Sequence, residues 1–198
     1  MKTTLFVPIL FGGNLNIPQD LNITKSGYLV SAGRSGRDYE LLCNAVKHLH
    51  LNVHIICDAN HALKGIDIPK NVTLLRNCYG YEYIKELAEA DLVLLILKDE
   101  NISSGQMVLV TAMALGKVVI ITKTDTTIEY GEHLKTCYFI KPNSIEDIRS
   151  AIEFCSKPSS TESIAQGAKQ RYAERHSIVP YVDSLTYAIL EIKRGGSG

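Results

Sequence analysis

The run Leu92-Val-Leu-Leu-Ile-Leu97 is apolar at every position. Side chains on a strand point alternately to opposite faces, so a run without alternation needs apolar cover on both sides. Helices packed on the two faces of a parallel sheet supply that cover. The rest of the chain repeats the same strand-then-helix order. A short apolar run at 28–33 precedes a helical pattern at 38–49, with Leu41, Leu42, Ala45, Val46 and Leu49 on one face. Strand-like runs follow at 53–57 and 72–75, then a helix carrying Tyr83, Ile84, Leu87 and Ala88, then 91–97 itself. Beyond it come a helix at about 105–115, strands at 117–122 and 138–140, and a helix capped by Ser144 with Asp147 three residues on. Two further helices fill 159–193, separated near 177–180. This order predicts an α/β fold: a Rossmann-like, doubly wound, mostly parallel sheet with C-terminal helices. Its ligand would sit beyond the carboxyl ends of the strands.

Residues 1–27 read as an N-terminal extended segment, near 3–10, and a Gly-, Asn- and Pro-rich linker; 28–194 read as one Rossmann-like domain. Gly195-Gly-Ser-Gly198 has the composition of an appended flexible linker. The N-terminal apolar run contains Pro8 and no small-residue cleavage site follows, so neither a signal peptide nor a membrane span is expected. Twenty-one basic residues balance 21 acidic ones, which leaves no net field to gather nucleic acid. The five widely spaced cysteines read as reduced thiols of a cytoplasmic protein.

Two loops at strand ends can carry chemistry. Gly33-Arg-Ser-Gly-Arg-Asp38 joins the first strand to the first helix and combines close backbone approach with the guanidinium groups of Arg34 and Arg37. Arginine's fork of donors matches phosphate oxygens. The same letters could also form a surface turn in which Arg37 pairs with Asp38 or Glu40. Asn101-Ile-Ser-Ser-Gly-Gln-Met-Val108 leads from the most buried strand into an apolar helix. Ser103 or Ser104 can cap that helix, Gly105 leaves its first amides open, and a helix N-terminus favours anions. An ordinary capped helix would use the same residues.

These two loops, with Ser104-Gly-Gln-Met-Val-Leu-Val-Thr-Ala-Met-Ala-Leu-Gly116 and Thr122-Lys-Thr-Asp-Thr-Thr-Ile-Glu-Tyr130, resemble the carboxyl-terminal, nucleotide-sugar-binding half of GT-B glycosyltransferases of the family 4 type. The resemblance implies that Arg34 and Arg37 act on the donor's diphosphate. The amides of Gly105, Gln106 and Met107 would hold the same phosphates, with Gly33, Ser103 and Ser104 beside them. It places the base against Asn77, Cys78 and Tyr79, with Tyr79 or Tyr81 stacking on it. It implies a retaining transfer from a uridine or guanosine diphosphate sugar, with no cofactor and no metal required. In that family two glutamates eight positions apart contact the sugar and the ribose; Ser103 and Thr111 stand at those positions here. A hydroxyl grips a diol less strongly than a carboxylate does.

The family also implies an acceptor-binding domain or subunit, and residues 5–13 resemble the linker that would join it. The expectation is therefore a donor-binding domain of a glycosyltransferase that needs such a partner. The alternative is a non-catalytic nucleotide-sugar-binding or scaffolding module. A helix at 181–192, with Tyr181, Leu185, Ala188, Ile189 and Ile192 on one stripe, is the candidate surface for a homo-oligomer. His48, His50 and His54 have no ligand partners at metal-binding spacing, and Cys78 has no histidine beside it in sequence. Asp99 and Glu100 read as a solvated loop, and Glu129 is left open.

Overall fold

The computed structural model of the chain describes residues 9–12, 15, 17, 18, 21, 26–98 and 103–195. Most of the expected extended segment at 3–10, Asp99 and Glu100, and the tail at 196–198 lie outside the described residues. The elements run β1 (Tyr28–Ala32), α1 (Tyr39–Val46), β2 (Asn52–Ile56), β3 (Val72–Leu75), α2 (Gly80–Glu89), β4 (Leu92–Leu95), α3 (Gln106–Ala114) and β5 (Val119–Thr122). They continue with α4 (Thr127–Tyr130), β6 (Tyr138–Ile140), α5 (Ile145–Cys155), α6 (Pro158–Arg171) and α7 (Ile178–Gly195). The sheet has six strands in the order β3-β2-β1-β4-β5-β6, every pair parallel. This is the doubly wound order, with its reversal between β1 and β4.

The apolar run around β4 does what its pattern requires. Leu92, Leu94 and Ile96 enter a core with α1 and α5 on one face, through Leu42, Val46, Ile148 and Ile152. Val93, Leu95 and Leu97 enter the opposite core with α2 and α3, through Leu87, Leu109 and Met113. α3 is buried on almost every side, from Val108 through Ala114, so no polar stripe marks it. Asp38 caps α1 by accepting from the Leu41 amide at 2.9 Å, and Ser144 caps α5 by accepting from the Asp147 amide at 3.0 Å.

α1 stops at Val46 rather than reaching Leu49, whose amide closes a turn onto the Val46 carbonyl. The break before α7 falls at a π-type turn, Tyr172–His176, and Pro180 lies in the first turn of α7, where its missing N–H costs no helix bond. His176 is fully buried. Its Nδ1 lies 3.0 Å from the Phe11 carbonyl, and its ring stacks on Tyr130, whose hydroxyl accepts from the Phe11 amide at 2.8 Å. Burial pulls the His176 pKa down.

On α7 the expected association stripe is divided between inside and solvent, with Ile189 and Ile192 of its five residues exposed. Ala188 is buried and Tyr181 and Leu185 are half-buried, whereas Val179, Val182, Tyr187, Ile189, Leu190 and Ile192 are exposed. Among the described residues no helix is long and apolar enough to cross a membrane.

Candidate functional site

The β1–α1 turn begins where the Gly33 amide donates to the Ile56 carbonyl at 3.1 Å, across to the end of β2. It then runs antiparallel to the end of β4. The Asp38 amide donates to the Ile96 carbonyl at 2.9 Å and the Lys98 amide to the Gly36 carbonyl at 3.0 Å, on either side of an Arg37–Leu97 bridge. Backbone bonds of this kind fix the turn as firmly as a strand. Two glycines make it possible. Gly33 has φ +127°, and a Cβ there would overlap the Arg37 guanidinium. Gly36 has φ +66°, and a Cβ there would overlap the Ser104 side chain, so the turn packs directly on the loop before α3.

Arg37 pairs with neither Asp38 nor Glu40. Its side chain folds back under the turn, 8% exposed, with Nε donating to the Ala32 carbonyl at 2.8 Å and Nη1 to the Ser35 carbonyl at 2.9 Å. Among the described residues no carboxylate neutralises it, and burial lowers its pKa. A buried cation with only neutral partners is an open electrostatic account, since buried charges are ordinarily paired. Tyr39, also buried, secures the same turn by donating to the Gly33 carbonyl at 2.6 Å.

Arg34 points the other way, with 60% of its side chain exposed. Its Nε lies 2.6 Å from Asp58 Oδ1, and its Nη2 donates to Asp58 Oδ2 at 2.8 Å. The Tyr79 hydroxyl also donates to Asp58 Oδ2. Tyr79, together with the nearby guanidinium of Arg34, holds the Asp58 carboxyl below the usual carboxylate range.

Opposite the turn, α3 is not capped by Ser103 or Ser104. Its N-cap is Gly105, which supplies no side chain, and Ser103 Oγ accepts from the side-chain amide of Gln106. The first-turn amides of α3 are therefore without intrahelical acceptors. Gly105, Met107 and Val108, at the start of α3, line the cavity bounded by the β1–α1 turn.

That cavity has a volume of about 610 Å³, within the range of small-molecule sites. The structure brings Gly33, Arg34 and Arg37 into its wall from β1, Asn77, Cys78 and Tyr79 from the β3–α2 loop, and Ser103, Ser104, Gly105 and Met107 from the start of α3. Asn77 has φ 57°, a left-handed conformation that turns the loop towards the cavity. Burial raises the Cys78 thiol pKa, which argues against a thiolate nucleophile.

Two expected positions are not brought in as side chains. Gln106 can contribute only its amide, and Thr111 is buried inside α3 with its hydroxyl donating to the Met107 carbonyl at 2.7 Å. The expected ribose contact at Thr111 is thus not formed by this geometry. Tyr81 is exposed outside the cavity lining.

Asp58 is the cavity residue that sequence reasoning missed. The strand-end rule was sufficient to find it, because it lies two residues beyond β2, at the level of Arg34 beyond β1. Glu129 is exposed away from the cavity. His54 is occupied by Glu86, at 2.9 Å, and by stacking on Tyr28. Among the described residues no group of three His, Cys, Asp or Glu side chains is placed to hold a metal ion.

Comparison with known proteins places these loops in context. A family model described as "Glycosyl transferases group 1" matches residues 27–157, more than half of the chain. No curated protein matches the sequence. Among solved structures, Anabaena Alr3699/HepE in complex with UDP-glucose is similar at a TM-score of 0.71 and 18% identity, over 84% of this chain and 49% of that one. Sucrose-phosphate synthase from Thermosynechococcus elongatus is similar at a TM-score of 0.70 and 15% identity, over 87% and 47%. The C-terminal domain of a Francisella tularensis glycosyl transferase group 1 family protein (LpcC) is similar at 0.62 and 16%, over 78% and 89%. The chain thus spans about half the length of the first two proteins and most of the third.

Proposed function

The chain belongs to the group 1 glycosyltransferases, and from that premise we propose that it is the carboxyl-terminal, donor-binding domain of a GT-B enzyme of the family 4 type. Its ligand on this reading is a nucleotide-diphosphate sugar, with uridine or guanosine as the base. The observation that carries the reading is the buried Arg37, a cation without a carboxylate among the described residues, in the wall of a cavity that the start of α3 also lines. Arg37 and the first-turn amides of α3 stabilise the diphosphate from below. Arg34 reaches it from the rim. As the bond from sugar to diphosphate breaks, these positive groups hold the growing charge on the leaving phosphate, the electrostatic role that fixed donors fill best. The base lies against Asn77 and Cys78, while Tyr79 presents its hydroxyl at the rim beside Arg34. The sugar is passed to an acceptor with its anomeric configuration retained, and the acceptor site is supplied by a further domain or subunit. That HepE binds UDP-glucose on a similar fold supports the choice of ligand. Five free cysteines, four of them buried, support a reducing, cytoplasmic setting.

Thermal unfolding of the chain with a panel of nucleoside diphosphates tests this. A ligand at 100 times its Kd should add about 2.7 kcal/mol of stability. Arg34→Ala should weaken nucleoside diphosphate binding far more than nucleoside binding. Equal losses for the two ligands would remove Arg34 from the phosphate site.

A second reading, a nucleotide-sugar-binding module without catalysis, is favoured by one observation. Asp58 is the sole carboxylate among the described cavity residues, and both its oxygens are engaged. Binding of UDP-sugar without transfer or hydrolysis, in the presence of any acceptor-binding partner found for the chain, would select it.

A further inference from the structure

Two donor side chains converge on Asp58. Arg34 comes from the end of β1, Tyr79 from the loop after β3, and Asp58 stands between them at the end of the central of those three strands. The guanidinium reaches both carboxylate oxygens and the hydroxyl reaches one of them. Arg34 and Tyr79 are themselves exposed at the cavity rim, close enough for the guanidinium to act on the phenol as well as on Asp58. A fork of N–H groups and a phenol hydroxyl, closing on two oxygens at the rim of a cavity, is the set of contacts that a phosphate would receive.

We infer that Asp58 is a resident competitor for the phosphate donors: its carboxylate holds Arg34 and Tyr79 until a ligand with more charge and more oxygens takes them. An exposed ion pair is weak, so the exchange is cheap for a diphosphate and unrewarding for a nucleoside. The same carboxylate recaptures Arg34 and Tyr79 as a nucleoside diphosphate departs, which makes Asp58 a specificity-determining residue that also aids release. The inference rests on the donor-site reading for the identity of the ligand alone; the competition itself concerns any polyphosphate anion.

Calorimetric titration of the full chain and of Asp58→Asn with inorganic pyrophosphate, UDP and uridine tests it. Asparagine keeps the shape and removes the charge: its single oxygen can accept from the Tyr79 hydroxyl and Arg34 Nη2, its amide nitrogen cannot accept from Arg34 Nε, and a melting curve confirms that the variant folds. D58N should bind pyrophosphate and UDP about fivefold more tightly, the upper range for losing one exposed opposing charge, with uridine unchanged. Unchanged or weaker pyrophosphate binding in D58N overturns the inference, since Asp58 would then be an inert neighbour or a support for Arg34. Absence of pyrophosphate binding to both proteins overturns it as well. Tighter pyrophosphate binding with no added affinity from the nucleoside part of UDP would uphold the role of Asp58 while removing the nucleotide-sugar reading.

The contact has a ligand-free readout too. Its bond to Asp58 raises the Tyr79 pKa, so carbon-13 tyrosine NMR should show one tyrosine titrating earlier in D58N than in the wild type. A set of tyrosine titrations that does not move would show that the contact is not made.

Discussion

The β1–α1 turn and α7 depart from ordinary burial in opposite senses. The turn takes a guanidinium inside and surrounds it with carbonyls, a tyrosine hydroxyl bond and two glycines that leave room for it. α7 carries Val179 at 65% exposure, with Tyr187, Ile189 and Leu190 also in solvent. Around Arg37 every neighbour is adjusted to the exception. Along α7 nothing is. The comparison separates two kinds of misfit: a charge buried by design has a cavity built beside it, whereas an apolar stripe on a helix is a surface whose energetics stay local.

The largest effect should come from breaking the turn. Gly36→Val places a β-branched residue at φ +66° and against Ser104, and should cost about 2–3 kcal/mol in urea unfolding. Adding Ser104→Gly should return only part of that loss, because it relieves the overlap and leaves the backbone strain. A double-mutant cycle would measure the share. Full additivity would mean that the two loops are not in contact.

An intermediate effect sharpens the junction between the two regions. His176, just before α7, is buried and its pKa is lowered, so it stays neutral in the fold while the unfolded chain takes up a proton near the ordinary 6.5. Stability from this group is complete above that pH and is lost as pH falls from about 6.5 towards the lower folded value. The melting temperature should drop over that window, and His176→Gln should flatten the drop. A wild-type melting curve that does not respond to pH there would contradict the buried, neutral assignment.

The smallest effects belong to α7. Val179→Asp and Leu190→Asp should each change unfolding free energy by no more than about 0.5 kcal/mol, as expected for exposed sites without special contacts. A loss of several kilocalories from either would show that the stripe is covered in solution.

The contrast also explains how far the sequence could be read. The sheet was legible because 91–97 admits one solution, cover on both faces, and α5 because Ser144 carries capping chemistry in its own side chain, whereas the cap that Asp38 supplies to α1 was not read. The cavity was legible in outline because its loops lie at strand ends. Arg37's inward fold was not legible, since nothing in Gly33-Arg-Ser-Gly-Arg-Asp38 distinguishes an arginine bonded to carbonyls from one facing solvent. Thr111 was misjudged for a related reason: a hydroxyl in a helix can satisfy itself on the carbonyl one turn back, as it does on Met107. The short helix α4 and the turn Asn60–Leu63 are too brief for any period to show.

The antiparallel bridge between Arg37 and Leu97 has a mechanical consequence. It laces the β1–α1 turn to the strand that feeds the loop before α3, and the Gly36–Ser104 contact ties the turn to that loop as well. These two walls of the cavity are therefore tied to each other. Adjustment of the cavity to a ligand is thereby left to its third wall, the loop after β3 that carries Asn77, Cys78 and Tyr79, while the other two act as a fixed anvil.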